Sequence, residues 1–166
     1  MNVRVKKAGK GWNQFNRLPG KVESVYGKYV VGQIIHNLAE LFVDELKKYI
    51  LSQPEAWPKL SKAYAEWKKV NDLDSRTWIA TESLLKRLTV KRIRANSYFA
   101  GALDKKHPKS TLSYGEIAMV LEFGVKKSGG WLIPPRPVFK PVFNAFTTKY
   151  ASEMRKYGVK MKLGES

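Results

Sequence analysis

Four prolines stand within eight residues, at Pro134, Pro135, Pro137 and Pro141. Each fixes its own φ near −65° and drives the residue before it out of the helical region. Whatever fold the chain adopts, "WLIPPRP" (Trp131–Pro137) must run extended, and helix can resume only near Pro141, a residue suited to a helix's first turn. Just upstream, Glu122-Phe123-Gly124 reads as the end of a short helix, with Gly124 as a left-handed stop. Between them, "VKKSGG" (Val125–Gly130) reads as a mobile basic loop. The 23 residues from Leu121 to Phe143 therefore dictate helix, stop, loop, stiff arm and helix. Prolines hold such an arm at low entropic cost.

The rest of the chain supplies elements for that arm to pack on. Val31, Ile34, Ile35, Leu38, Leu41, Phe42, Leu46 and Tyr49 recur at helical spacing and predict a long helix over 29–52, stopped by Pro54. Pro58 and Ser61 signal a turn into a helix reaching about Val70, with Ser61 as its cap. A short helix is expected within "ATESLLKR". From Leu88 the period changes to two: "LTVKRIR" and "SYFAGAL" predict paired strands joined by "ANS". "DKKHPKSTL" reads as a polar loop. Ser113 and Glu116 have capping-box spacing ahead of Ile117, Ala118 and Leu121. Phe139, Val142, Phe143, Phe146, Tyr150 and Met154 make the apolar stripe of a last helix ending at Gly158. Residues 1–27 read as a basic arm, 28–158 as one α+β domain built on a small antiparallel sheet with a long N-terminal and a C-terminal helix, and 159–166 as a frayed tail.

Charge narrows the partners. Thirty-one Lys and Arg stand against 14 Asp and Glu, a formal charge of +17, which favours an anionic partner. Candidate contacts with DNA or an acidic protein are Lys6, Lys7 and Lys10 in the arm, Lys105 and Lys106 in the polar loop, and Lys126 and Lys127 beside the prolines. With no cysteine, disulfides, thiolate nucleophiles and cysteine zinc sites are excluded. No run of about 18 apolar residues exists, so no membrane-spanning helix is expected. Neither His36 nor His107 has metal-ligand or triad spacing. Asp72 and Asp74 lie two apart in a loop, with Glu55 and Glu66 upstream, a pattern common in solvated turns. Neither a phosphate-binding glycine loop nor a nucleophile elbow is present. These residues point away from catalysis and cofactors, and toward a structural protein or a non-specific basic nucleic-acid-binding protein.

Two segments carry a resemblance. "WPKLSKAYAEWK" (Trp57–Lys68) is followed by "RTWIATESLLKRLTV" (Arg76–Val90), and then by "YGEIAMVLEFGVKKSGGWLIPPRPVF" (Tyr114–Phe139). That order resembles the tailed-phage virion-morphogenesis and tail-completion family. Its members carry W-P-x-L-S-x-x-T-x-x-x-K, a leucine-rich turn into a strand, an E-F-G turn, a basic or glycine-rich loop, and I-P-x-R-P-F before the last helix. The matches are Trp57, Pro58, Leu60, Ser61, Lys68, Leu84, Thr89, Val90, Glu122, Phe123, Gly124, Ile133, Pro134, Arg136 and Pro137. Departures are Tyr64 for threonine, Glu82 for glycine, Arg87 for serine, and Val138-Phe139 for Phe-Leu. The resemblance spans roughly 57–145.

It implies a small α+β virion subunit of the neck or tail end, made in the host cytoplasm. Such a subunit forms a ring, commonly six-fold, that completes the tail and joins it to the head connector. Its neighbours would be connector, terminator or tail-tube proteins, with genomic DNA in the lumen. Within the motif, Phe123 and Phe139 are expected to close over the core. Arg136 can offer a bidentate fork to a carboxylate. Glu122 or an acid of a neighbouring subunit would receive it, or the arginine would simply pin a loop within the chain.

Overall fold

The computed structural model describes residues 10–94, 96–108 and 110–162, with side chains from Gly27 onward except Lys28. The fold is α+β, with six helices and two separate antiparallel two-stranded sheets among the described residues. The chain runs α1 (Lys10–Ser52), α2 (Lys62–Val70), α3 (Ser83–Arg87), β1 (Leu88–Arg94), β2 (Ser97–Ala102), α4 (Tyr114–Phe123), β3 (Val125–Lys127), β4 (Gly130–Ile133), α5 (Phe139–Lys149) and α6 (Ala151–Lys156). No described helix is long and apolar enough to cross a membrane.

Helix α1 spans 43 residues and starts well before the expected Tyr29. The part of the basic arm from Lys10 is therefore helical. Pro19 and Gly20 lie inside the helix; such residues cost roughly 3 and 1 kcal/mol, which weakens a helix without forbidding it. Lys6 and Lys7 fall outside the described residues, as does the side chain of Lys10. Where α1 meets the body, Leu38, Phe42, Leu46 and Ile50 are buried at strict four-residue spacing, joined by Ala39 and Val43. Leu41, expected in that stripe, is exposed, because the buried face is rotated toward Val43.

One core draws on α1, the segments around Trp57 and Trp78, α3, the bases of β1 and β2, α4 and α5. Trp57, Trp78, Ile79, Leu84, Leu88, Tyr114, Ala118, Val138, Val142 and Phe146 pack against α1 and one another. Phe42 meets Phe146 edge-on at 5.4 Å, and Tyr49 meets Trp57 at 5.8 Å. The strand expectation holds: Leu88 pairs with Ala102, and Arg92 with Tyr98, with a bulge between Arg92 and Arg94. Leu88 and Ala102 reach the core, and the ribbon also meets α1, where His36 and Tyr98 lie 5.2 Å apart.

The local caps form as expected. The Ser61 side chain accepts from Tyr64 N, and Ser113 with Glu116 closes a full capping box on α4. Three expectations need correction. The last helix breaks at Tyr150 into α5 and α6. The segment read as a frayed tail is anchored at its start, because Val159 and Met161 pack on the core. The loop read as mobile is a β-hairpin: Val125 pairs with Ile133, Lys126 with Trp131 and Lys127 with Gly130. Gly129 at φ +98° and Gly130 at φ +151° supply the turn that folds these short strands back on each other.

Candidate functional site

The proline arm and the Trp-Pro segment, some 80 residues apart, meet at Arg136. Its backbone N–H donates to Leu121 O at 2.8 Å, which draws the arm against the end of α4. Its guanidinium turns inward. Nε donates to Pro58 O at 2.8 Å, Nη2 to Lys59 O at 3.2 Å, and Nη1 to Pro134 O at 3.4 Å. The arm's own carbonyls are answered by two tryptophans. Trp78 Nε1 donates to Arg136 O at 3.0 Å, and Trp57 Nε1 to Pro137 O at 3.2 Å. Trp78 holds a φ of +62°, a costly conformation for a bulky residue, and is buried there.

Glu122 does not bond Arg136. Its carboxylate caps α5: Oε2 accepts from Val138 N at 2.6 Å and Phe139 N at 3.1 Å, and Oε1 from Lys140 N at 3.3 Å. The reason lies in how α5 begins. A helix start leaves several N–H groups without intrahelical partners. Val138, the N-cap, has no side chain able to accept them. After Lys140 comes Pro141, which has no N–H, and Val142 N already bonds Val138 O at 3.2 Å. Glu122 thus takes the three donors that need an acceptor, and its negative charge sits favourably at the helix's positive end. The fork of Arg136 finds backbone carbonyls instead of a carboxylate, so the pin lies within the chain.

A second buried cation stands beside this node. Lys68 Nζ donates to Arg76 O at 2.7 Å and Ile79 O at 2.5 Å. Lys68, Glu122 and Arg136 are 2%, 7% and 4% exposed, very low values for charged groups. Burial, more than anything else, pushes the Lys68 ammonium below the ordinary lysine range; Asp74 opposes that and Arg136 adds to it. Burial likewise lowers the pKa of Arg136, with Tyr64 opposing.

Asp74 grips Arg76, accepting from its backbone N at 2.8 Å and from Nε at 3.0 Å. The hydrogen bond from the Arg76 side chain, chiefly, depresses the Asp74 carboxyl from 3.8 to about 2. A folded-state pKa below the unfolded one gives stability that is present above about pH 3.8 and lost as pH falls through about 2. Asp74→Asn should therefore flatten that acid limb of a stability-against-pH curve, measured by denaturant titration.

The other sequence candidates fall in different places. Trp57 is buried, while Pro58 and Ser61 are exposed beside it. Ile133 and Pro134 are half-buried, and Pro137 is exposed. Gly124 has φ +74° and ψ 176°, outside the left-handed helical region and open essentially to glycine alone. A Cβ there would lie 2.6 Å from Ile133 O and 2.8 Å from Pro135 N. Phe139 packs on the core, but Phe123 points to solvent, since Glu122 and Ala118 take the inner side of α4. Met119, Trp131 and Leu132 are also exposed, and Lys126 Nζ lies 4.9 Å over the Trp131 ring. Lys105, Lys106 and Lys127 are exposed.

Sequence reasoning missed Gln53 and Trp78. Gln53 ties the end of α1 to Thr77: its Oε1 accepts from Thr77 N at 2.8 Å, and its Nε2 donates to Thr77 O at 3.0 Å. Nothing in "LSQPE" announces a partner 24 residues away. His36 lies beside Glu40 at 3.3 Å, and His107 packs on Tyr114 at 5.0 Å, so the two histidines belong to different neighbourhoods. Among the described residues, no group of three or more His, Cys, Asp or Glu is placed to hold a metal. A groove of about 330 Å³ runs between α1 and α5, lined by Tyr49, Val142 and Phe146 with Glu45, Lys48 and Lys149. No protein-family model, curated protein or solved structure matches the chain.

Proposed function

We propose that this chain is a structural subunit of the tailed-phage neck or tail end, forming a ring that completes the tail and joins it to the head connector. The observation that carries this reading is the convergence of the motif segments. Trp57, Pro58, Lys68, Glu122, Gly124 and Arg136, scattered over some 80 residues, build one lock in which each charged group is buried and bonds backbone. Such a lock suits a rigid presenting scaffold. Against Gly124 lies the β3–β4 hairpin, on which Trp131 and Leu132 are exposed with Lys126 and Lys127, Lys126 over the Trp131 ring, and Phe123 is exposed one residue before Gly124. We read this exposed apolar group with its cations as the surface that meets a protein neighbour. A six-fold ring needs one such face meeting a different face of the next subunit, head to tail.

The test is quantitative mass spectrometry of purified, nuclease-treated particles made by a phage genome encoding this chain. The expected result is a few copies per particle, in fixed ratio to other neck proteins. A Trp131→Asp, Leu132→Asp chain should fold with an unchanged thermal midpoint, yet leave heads and tails unjoined. Finished particles lacking the chain would overturn the proposal.

A further inference from the structure

The β1–β2 ribbon is anchored at one end and bare at the other. Leu88 and Ala102 fix its base in the core, and Tyr98 rests on His36 of α1. Beyond the base, every described residue from Lys91 to Ser97 is exposed. Lys91, Arg92 and Arg94 lie on that tip, and no Asp or Glu occurs between Glu82 and Asp104. The bulge makes Ile93 the extra residue, 60% exposed, and Arg92 Nε closes it by donating to Arg94 O at 3.2 Å. A bulge bends a strand and sharpens its twist, and it is a common way to re-aim side chains.

Charge decides which partner fits. An apolar protein surface docking on Ile93 would have to desolvate the surrounding cations, a cost that one isoleucine does not offset. A polyanion turns the same cations into the source of binding. An antiparallel two-stranded ribbon also has the width that B-DNA's major groove admits. Phosphate neutralisation by Lys and Arg releases condensed counterions and needs no particular sequence.

We propose that the tip of the β1–β2 ribbon is a contact for duplex DNA, with Lys91 and Arg94 neutralising phosphates and Arg92 holding the bulge in shape. The contact is sequence-independent. It does not depend on the ring reading, because it concerns the isolated chain and a surface apart from the β3–β4 hairpin.

The experiment is fluorescence anisotropy of a labelled duplex of arbitrary sequence, titrated with the full chain over a range of salt. Lys91→Glu, Arg94→Glu is compared with Lys62→Glu, Lys69→Glu on α2, which changes net charge equally. Thermal midpoints establish that both variants fold. The expected result is that the ribbon variant loses at least about tenfold in affinity and that its salt slope falls by about two, one per phosphate contact. The α2 variant should lose much less. Equal losses in the two variants would mean that overall charge alone attracts DNA, and would overturn the proposal. So would binding to anionic vesicles or acidic protein with no binding to duplex.

Discussion

Glu122→Ala is expected to destabilise the chain by about 3–5 kcal/mol, the scale for removing one member of a buried charged network. The loss has three parts. The N–H groups of Val138, Phe139 and Lys140 lose their acceptor while the start of α5 stays packed. The favourable charge at the helix terminus goes with them. A void the size of the carboxylate's stem is left beside Val138, which is fully buried. Glu122→Gln keeps one carbonyl oxygen facing those donors and should cost roughly half as much. Equilibrium urea denaturation reads both. Because most domains are stable by only about 5–15 kcal/mol, the alanine variant is expected to be marginal. The charge-reversed pair Glu122→Arg, Arg136→Glu should fold no better than either single change, since the two side chains serve different partners. Rescue by the pair would contradict the cap.

Gly124→Ala is expected to be comparably severe, at about 4 kcal/mol or more. The added carbon would meet Ile133 O at 2.6 Å and Pro135 N at 2.8 Å, both backbone atoms. Neither can move alone: Ile133 is paired in the hairpin, and the arm is held by Arg136 N on Leu121 O. Gly129→Ala is the matched control. It also has positive φ, at +98°, but nothing lies within 4 Å of its new carbon, so about 1–2 kcal/mol of backbone strain is expected. Thermal unfolding of the pair separates close approach from backbone preference. Similar losses at the two positions would show that the clash at Gly124 is relieved by local movement.

Elements written in neighbouring residues were legible. The Ser113–Glu116 box, the Ser61 cap and the pairing of β1 with β2 each depend on residues within a few positions, and each forms as expected; burial along β1 does not alternate, since everything from Lys91 on is exposed. The α+β class followed from the same local signals. The start of α1 was not legible, because local breakers argued for a stop that the helix overrides. The site was half legible. The resemblance named the residues of the lock other than Trp78, but not who bonds whom. Two of Arg136's three side-chain acceptors are carbonyls 77 and 78 residues away, and a carbonyl has no letter in the sequence. Glu122's role had a signal that could have been read: a helix beginning Val-Phe-Lys-Pro holds no local acceptor, so a remote one is required. Trp78 and Gln53 gave no comparable sign.

The lock joins side chains to main chain, which divides the burden of change unevenly along the sequence. Pro58, Lys59 and Pro134 offer Arg136 only their peptide oxygens. Position 59 could hold almost any residue and still accept that bond. Arg136, Glu122 and the two tryptophans have no such freedom, because each supplies a donor or acceptor of particular shape and reach. A lineage carrying this lock can therefore rewrite most of its letters, exposed face included, while a handful of scattered side chains keep the same architecture.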